Sequence, residues 1–344
     1  MLLFYELKKV VFQPFILFLV IGCVIGNGLY VFTLSNNISD SKALSAKASN
    51  IFLDLKTSEL ADHYIRKYDM SEQNAQNIRS KYEKVQVVIE QKATDLEALS
   101  PYFGIQTPYQ HRMLFSDFFS IMIAQICLLS LFSSFFLVSF EKINRSEAMI
   151  YVTKIGRNIQ KVKLVAILLS MLLFSVAVIS SGLLFYFIRF DYTKVWTDFV
   201  SSSFNSAVYE FGKPFITWIP MTVKTYLSAQ IVLTVYLALC FAFLGYVVSL
   251  FVRKSYNIFI VSVFILSFLF LLKYFFPVGS IGRAFLYLSP IWLWKSNGEW
   301  LTDGGAEVLW SFFEIRGMSL TLLLLLLLTV LGQSVFNKKE IGGE

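Results

Sequence analysis

Six runs of mostly apolar residues, each about 20 residues long, decide what this chain can fold into. They are 14–34, 118–140, 162–188, 223–250, 257–277 and 317–336. As a helix, each run is long enough to cross a hydrocarbon core roughly 30 Å thick. Hydrophobic residues make up 56% of the chain and charged residues only 15%, which excludes an ordinary soluble domain. We predict an all-α integral membrane protein with six transmembrane helices.

Lysine and arginine residues mark one side of the predicted membrane. Two precede the first run, six lie in the segment 139–163 that joins the second and third, two lie between the fourth and fifth, and two follow the sixth. Because short loops rich in Lys and Arg stay in the cytoplasm, we predict that both termini, including the tail 337–344, are cytoplasmic. The expected location is a plasma membrane, crossed several times, in a bacterium. The net charge of +7 indicates attraction to anionic membrane lipids, and no nucleic-acid partner is expected.

The remaining segments are predicted to lie outside the cell. They are 35–117, 189–222 and 278–316, and the last is either extracellular or re-entrant. Within the first, apolar residues recur at helical spacing from Leu44 to Tyr68 and from Ile78 to Leu99. Asp69 and Glu72 have the spacing of a capping box. We therefore predict an extracellular hairpin of two helices, each about 45 Å long at 1.5 Å per residue, that acts as a docking or gating element or as a structural lid.

Motifs for catalysis and cofactor binding are absent from the sequence. His63 and His111 do not have the spacing of metal ligands, and Cys23, Cys127 and Cys240 all fall inside apolar runs. No phosphate-binding loop of the Gly-x-x-x-x-Gly-Lys-Ser/Thr type occurs. We expect no enzymatic activity, no metal and no cofactor bound by this chain itself.

The basic segment between the second and third runs is longer than a connection needs. Residues 139–163 carry six basic and two acidic side chains, with apolar residues spread among them. This pattern is typical of a short surface helix that lies along a membrane or a protein partner. Gly156 is a predicted stop for that helix. We expect a cytosolic protein to bind here.

This segment resembles the permeases of type-2 ABC exporters, which share the type V fold. In that family a Glu begins the loop, and a Thr-Pro-x-Ser-Arg motif and a Lys-Leu pair follow. This chain has Glu141, then Thr153 followed by 154–157 with Arg157 at its end, then Lys163 before a Leu. It departs from the family where Arg145 and Ser146 replace Gly-Thr and where Lys154 replaces the Pro. Residues 1–13 also resemble the family's amphipathic elbow helix, and 287–290 its broken segment before the last span.

The resemblance implies a permease subunit whose segment 141–161 contains a coupling helix. Two copies of a separate ABC ATPase would bind ATP and Mg, and a second permease chain, identical or related, would complete the path. Glu141 would lie at the mouth of the ATPase contact. The implied interface residues are Glu141, Arg145, Glu147, Met149, Ile150, Tyr151, Thr153, Lys154, Gly156 and Arg157. An alternative is that these charges are only solvated markers of the cytoplasmic side.

Polar residues inside the runs are candidates for a substrate path. They are Asn27, Gln125, Ser130, Ser133, Ser134 and Gln230. Packing between helices through small and polar residues explains the serines equally well. An apolar, aromatic-rich path favours an amphiphilic substrate, such as a peptide, lipid or drug, and exporters of this kind give resistance to antimicrobial peptides. Two alternatives stay open: a sensor or immunity protein that binds a peptide through its hairpin, and a secondary transporter.

Overall fold

The computed structural model describes residues 1–34, 50, 52–95, 97, 107–144, 146, 156–193, 195–201, 215–252 and 255–338. The regular structure within these ranges is helical, and the only pairing of extended backbone there is two isolated β-bridges. Six helices are long and apolar enough to cross a membrane. The predicted fold class is confirmed at this level.

The six spans agree closely with the six apolar runs. The first span is α2 (Pro14–Thr33). The second runs over Gln110–Glu141, from the end of α5 (Thr107–Arg112) through a π-helical turn (Met113–Phe118) into α6 (Phe119–Ile143). The third to sixth spans are α7 (Ile159–Arg189), α8 (Val223–Phe251), α9 (Ser255–Leu272) and α12 (Phe313–Lys338). A short 3₁₀ turn, Lys273–Phe275, follows α9.

Shorter helices lie at the two ends of the bundle. At one end, α1 (Leu2–Val11) packs against the third span, and we call this end the termini face. At the other end are α3 (Thr57–Lys67), α4 (Glu72–Thr94), α10 (Ile281–Tyr287) and α11 (Pro290–Lys295), with 3₁₀ turns at Asn297–Glu299 and Gly305–Glu307. We call this end the hairpin face, because α3 and α4 pack antiparallel there. Thr57 Oγ1 donates to the Tyr82 carbonyl at 2.8 Å.

The two hairpin helices are shorter than the spacing of apolar residues predicts. They are about 16 Å and 35 Å long at 1.5 Å per residue, with 11 and 23 residues. The described residues just before α3 are not helical, and among them the Asn50 side chain donates to the Ala93 carbonyl at 3.0 Å and accepts from Phe52 N. The predicted capping box, with Asp69 as the N-cap, is also wrong: Ser71 is the N-cap of α4, and Asp69 lies in the turn before it with a positive φ of 45°. Residues 35–49 and 51 lie outside the described residues.

The second and fourth spans form the centre of the bundle. They are the most buried spans, and they approach closely where Gly245 meets Ser134. A Cβ at Gly245 would lie 2.8 Å from the Ser134 Cβ, so a larger residue would push the helices apart. The first, fifth and sixth spans, in contrast, present mostly exposed apolar side chains. Such surfaces are those that lipid or a second membrane protein covers.

The segment between the fifth and sixth spans packs into the bundle at the π-helical turn. A π turn leaves carbonyl groups without their usual partners within the helix. Asn297 supplies a donor: its Nδ2 lies 2.7 Å from the Phe115 carbonyl oxygen and 3.2 Å from that of Ser116. Gln230 in the fourth span donates to the Asn297 carbonyl at 3.1 Å. The segment therefore bridges the second and fourth spans.

Candidate functional site

Four charged side chains meet at the termini face, and we call them the Glu141 cluster. Glu6 and Lys9 come from α1, Glu141 from the end of the second span, and Lys163 from the start of the third. Lys9 Nζ lies 2.5 Å from a Glu6 carboxylate oxygen and 3.2 Å from a Glu141 oxygen. The other Glu141 oxygen is bound by Lys163. The cluster thus joins three helices that are far apart in sequence.

The Glu141 cluster is largely shielded from solvent. Glu6, Glu141 and Lys163 expose 1%, 3% and 1% of their surface. Lys163 also donates to the Leu137 carbonyl at 2.8 Å, and the Lys9 ammonium lies 4.7 Å from the centre of the Phe140 ring. Partial burial lowers the pKa of Lys9, but its hydrogen bonds and charge contacts with Glu6 and Glu141 outweigh burial and leave that pKa raised. The cluster satisfies charges that would be very unfavourable if buried alone.

The cluster closes the base of the predicted coupling segment. Glu141 and Lys163 lie at the two ends of that segment, and their ion pair brings these ends together. The Glu141 side chain is directed into the cluster, and its expected role at the mouth of an ATPase contact stays a prediction. Gly156 has a φ of 51°, a conformation that favours glycine, and it begins a 3₁₀ turn that leads into the third span.

The structure leaves most of the proposed interface residues undescribed. Arg145, Glu147, Met149, Ile150, Tyr151, Thr153 and Lys154 lie outside the described residues, and only the backbone of Arg157 is described. Their predicted role as an interface therefore stays a prediction. The part that the structure describes is the pair of helix ends, at Glu141 and Lys163, on either side of them.

The polar residues inside the spans mainly bond to other helices or to their own backbone. Asn27 and Gln125 form a reciprocal amide pair between the first and second spans, at 3.0 Å and 2.9 Å. Ser130 and Ser133 donate to carbonyls four residues earlier. Ser134 donates to Ser130 and, across to the fourth span, to Ala242 at 3.0 Å. For the serines, these contacts support the interpretation that they serve packing between helices. Asn27 and Gln125, two separate candidates, are partners of each other.

Gln230 occupies a different place from the other candidates. It is buried in the fourth span, where its amide nitrogen donates to the Tyr226 hydroxyl at 3.0 Å and to the Asn297 carbonyl. Its contacts hold the segment after the fifth span. The candidate path residues are therefore distributed between separate interfaces and do not converge on one described cavity.

Helix α4 is held against the hairpin face by buried polar contacts. Tyr82 donates to Asp303 at 2.9 Å, and Lys81 binds the Gly305 carbonyl and lies 3.7 Å from Asp303. Lys92 binds Glu97 at 2.7 Å. Lys92 also donates to the Thr217 hydroxyl at 3.1 Å, linking α4 to the loop before the fourth span. The hairpin is a docked part of the bundle and does not stand free of it.

Another ionic group of the hairpin face lies around Glu307. Arg283 binds this carboxylate through two nitrogens at 2.7 Å and 2.8 Å, and Lys273 lies 3.2 Å away. The Lys273 ammonium also lies 3.5 Å from the centre of the Trp292 ring. Burial alone raises the pKa of Glu307, but the hydrogen bond and charge of Arg283, together with the charge of Lys273, outweigh burial and hold that pKa below its usual value.

Sequence reasoning missed the partners in all of these clusters. Glu6 and Lys9 have a helical spacing of three, which hints at an ion pair, but nothing in the sequence links Lys9 to Glu141, 132 residues away. Within the part of the chain that the structure describes, no three His, Cys, Asp or Glu side chains are grouped to hold a metal ion. Comparisons with models of known families, with curated proteins and with solved structures found no match.

Proposed function

We propose that this chain is the permease subunit of an ABC exporter and that a separate ATPase drives it through the segment 141–161. The observation that carries the proposal is the Glu141 cluster. Because it ties α1 and the two ends of this segment together, a force on the segment displaces three helices as one body. A simple connection between two spans needs only a few residues, whereas this segment, 141–161, has 21.

Helix α1 has the features of an elbow helix in this proposal. Phe4, Tyr5 and Phe12 expose 65%, 56% and 64% of their surface, whereas Val10 is buried against the bundle. Exposed aromatic side chains beside Lys8 and Lys9 are typical of a helix at the boundary of a cytoplasmic leaflet. With α1 in the cytoplasmic leaflet, the termini face is cytoplasmic and the hairpin face extracellular.

The partners follow from the same assignment. The chain has no phosphate-binding loop, so two copies of an ATPase subunit supply ATP and Mg binding. The first and fifth spans expose apolar side chains such as Phe18, Ile25, Phe264 and Phe268, and a second permease chain with surrounding lipid covers them. In this proposal the two permeases together enclose the substrate path.

The mechanism is a change between two arrangements of the bundle. ATP closes the two ATPase subunits, and a segment seated in each moves with its subunit. The Glu141 cluster passes this motion to the second and third spans and to α1. An amphiphilic substrate is exported only if its affinity differs between the two arrangements. Contacts such as the Asn27–Gln125 pair are those that differ when the first and second spans slide.

The proposal is tested by purifying the chain in mild detergent from its native membranes. The expected result is a stoichiometric partner that carries a phosphate-binding loop and that is lost with Arg157→Glu. Lys224→Glu is the matched control: it reverses an exposed charge at the start of the fourth span, on the hairpin face, and should keep the partner. A folded wild-type chain that retains no such protein contradicts the proposal.

A further inference from the structure

A pocket of about 370 Å³ opens on the hairpin face beside the start of the sixth span. Its walls come from α4, from the loop before the fourth span and from the residues that lead into the sixth span. The side chains that matter for binding are Lys81, Lys84, Trp218, Trp310, Phe312 and Arg316. This volume is within the range of small-molecule sites and is large enough for a headgroup and the first part of an alkyl chain.

Two positive charges of this pocket have no counterion among the residues that the structure describes. Lys84 and Arg316 form no ion pair with any residue in the described ranges. Both are exposed. Lys81 differs, because it is buried against Gly305 and Asp303 and holds α4 in place. The pocket therefore presents uncompensated positive charge from two elements that lie far apart in sequence.

The other wall of the pocket is aromatic and apolar. The rings of Trp218 and Phe312 have centroids 6.4 Å apart, and Trp310 lies beside them. The apolar sixth span begins at Phe313, so this wall is placed where the membrane meets water. Indole rings are enriched at that level, where one side is apolar and the other hydrated.

We propose that this pocket binds an anionic amphiphile, with its phosphate or carboxylate on Lys84 and Arg316 and its alkyl chain against Trp218 and Phe312. Arg binds phosphate through two parallel hydrogen bonds, and Lys adds a point charge. The aromatic wall is next to the span that reaches into the membrane, so a lipid-like chain enters without leaving an apolar environment. That such a ligand is the exported cargo rests on the proposed function, whereas the binding itself does not.

The test uses the full chain in nanodiscs of phosphatidylcholine. Dihexanoyl phosphatidic acid is titrated in while the tryptophan fluorescence is followed, and dihexanoyl phosphatidylcholine and inorganic phosphate are the comparison ligands. We expect the phosphatidic acid to bind at least about 10-fold more tightly than either of them, one factor of ten in Kd. Equal affinity for the two lipids would show that the pocket does not select an anionic headgroup. Equal affinity for phosphatidic acid and free phosphate would show that the alkyl chain makes no contact that contributes to binding.

The variants assign the binding to this pocket. Lys84→Gln together with Arg316→Gln should weaken phosphatidic acid binding by about 10-fold or more, while Lys224→Gln, an exposed cation on the same face but outside the pocket, should leave it unchanged. Lys84→Gln alone changes one exposed side chain, so it reports on the pocket if the double variant does not fold. Binding that none of the pocket variants changes overturns the proposal. If no ATPase partner is found in the purification from native membranes, the lipid-binding result is unaffected. Failure of the proposed function and failure of the pocket proposal are therefore distinguishable.

Discussion

The two ends of the bundle both bury charge, but they connect it differently. At the termini face, four side chains from three helices form one cluster around Glu141. At the hairpin face, the buried ion pairs form separate groups, one around Asp303, one at Lys92 and Glu97, and one around Glu307. Each of these groups fastens a loop or the hairpin, and Lys84 and Arg316 beside them form no ion pair with any residue that the structure describes.

This difference assigns different mechanical roles to the two ends. A single cluster shared by three helices makes those helices move together, since no helix can shift without breaking its ion pair. Separate groups allow one loop to change while the others stay in place. This contrast is what the two proposals require: a termini face that transmits motion and a hairpin face with the local freedom that a ligand site needs.

The largest expected effect comes from removing the shared anion of the termini face. Glu141→Ala leaves Lys9 and Lys163 without this counterion, and breaking a buried ion pair on one side costs about 3–5 kcal/mol. The measurement is the unfolding of the detergent-purified chain. Glu83→Ala, which removes an exposed carboxylate on α4, is the control and should change little. A cost for Glu141→Ala no larger than that of the control would mean that the cluster does not hold the three helices.

An intermediate effect is expected on acidification at the hairpin face. The folded-state pKa of Glu307 is lower than its ordinary value, so the stability that it contributes is complete above its unfolded pKa and is lost as the pH falls through the folded value. Charged hydrogen bonds of this kind contribute about 1.5–3 kcal/mol. We expect the melting temperature of the wild-type chain to fall more steeply below about pH 4.5 than that of Glu307→Gln.

The control for acidification is Glu59→Gln, which changes an exposed carboxylate on α3. This variant should keep the steep fall of the wild-type chain. Identical pH profiles for wild type and Glu307→Gln would show that the Glu307 group does not fasten its loop, and the contrast between the two ends would then depend on Asp303 and Lys92.

The smallest effect is expected between the two charged ends, at the neutral Asn27–Gln125 pair. Hydrogen bonds between membrane helices contribute about 0.6 kcal/mol on average and at most about 1.7. Asn27→Leu, Gln125→Leu and the double variant form a cycle that measures the coupling energy. A coupling energy as large as the cost of Glu141→Ala would mean that the middle of the bundle, and not its end, holds the first two spans together.

The spans could be predicted from the sequence because they depend only on length and apolarity. Each apolar run became a helix whose ends differ from the prediction by a few residues, as for Phe313 in place of Gly317, except that the second span begins eight residues earlier, at Gln110. The hairpin was less predictable, since α3 begins only at Thr57, whose backbone N–H donates to the Gln86 side chain and whose hydroxyl donates to the Tyr82 carbonyl of α4. Local spacing does not reveal such a contact.

The sequence predicted Glu141 as a candidate site residue but not the contacts that it makes. Glu141 was identified because it begins the basic segment. Its ion-pair partners, however, come from α1 and the third span, and its buried carboxylate forms these pairs within the chain. The same is true of Asn27 and Gln125, which were selected separately and form one pair. Sequence pattern indicates which polar residues enter the membrane, but only tertiary packing determines their partners.

The π-helical turn at Met113–Phe118 has a consequence for the length of the chain. Such a turn holds one more residue than an α-helical turn, so the second span carries a spare residue there. Removing one residue converts the turn into an α-helix and leaves the flanking parts of the span facing the same neighbours. What is lost is the pair of carbonyl acceptors for Asn297. The span is therefore most tolerant of a deletion at the very place where its docking to the hairpin face is most sensitive to one.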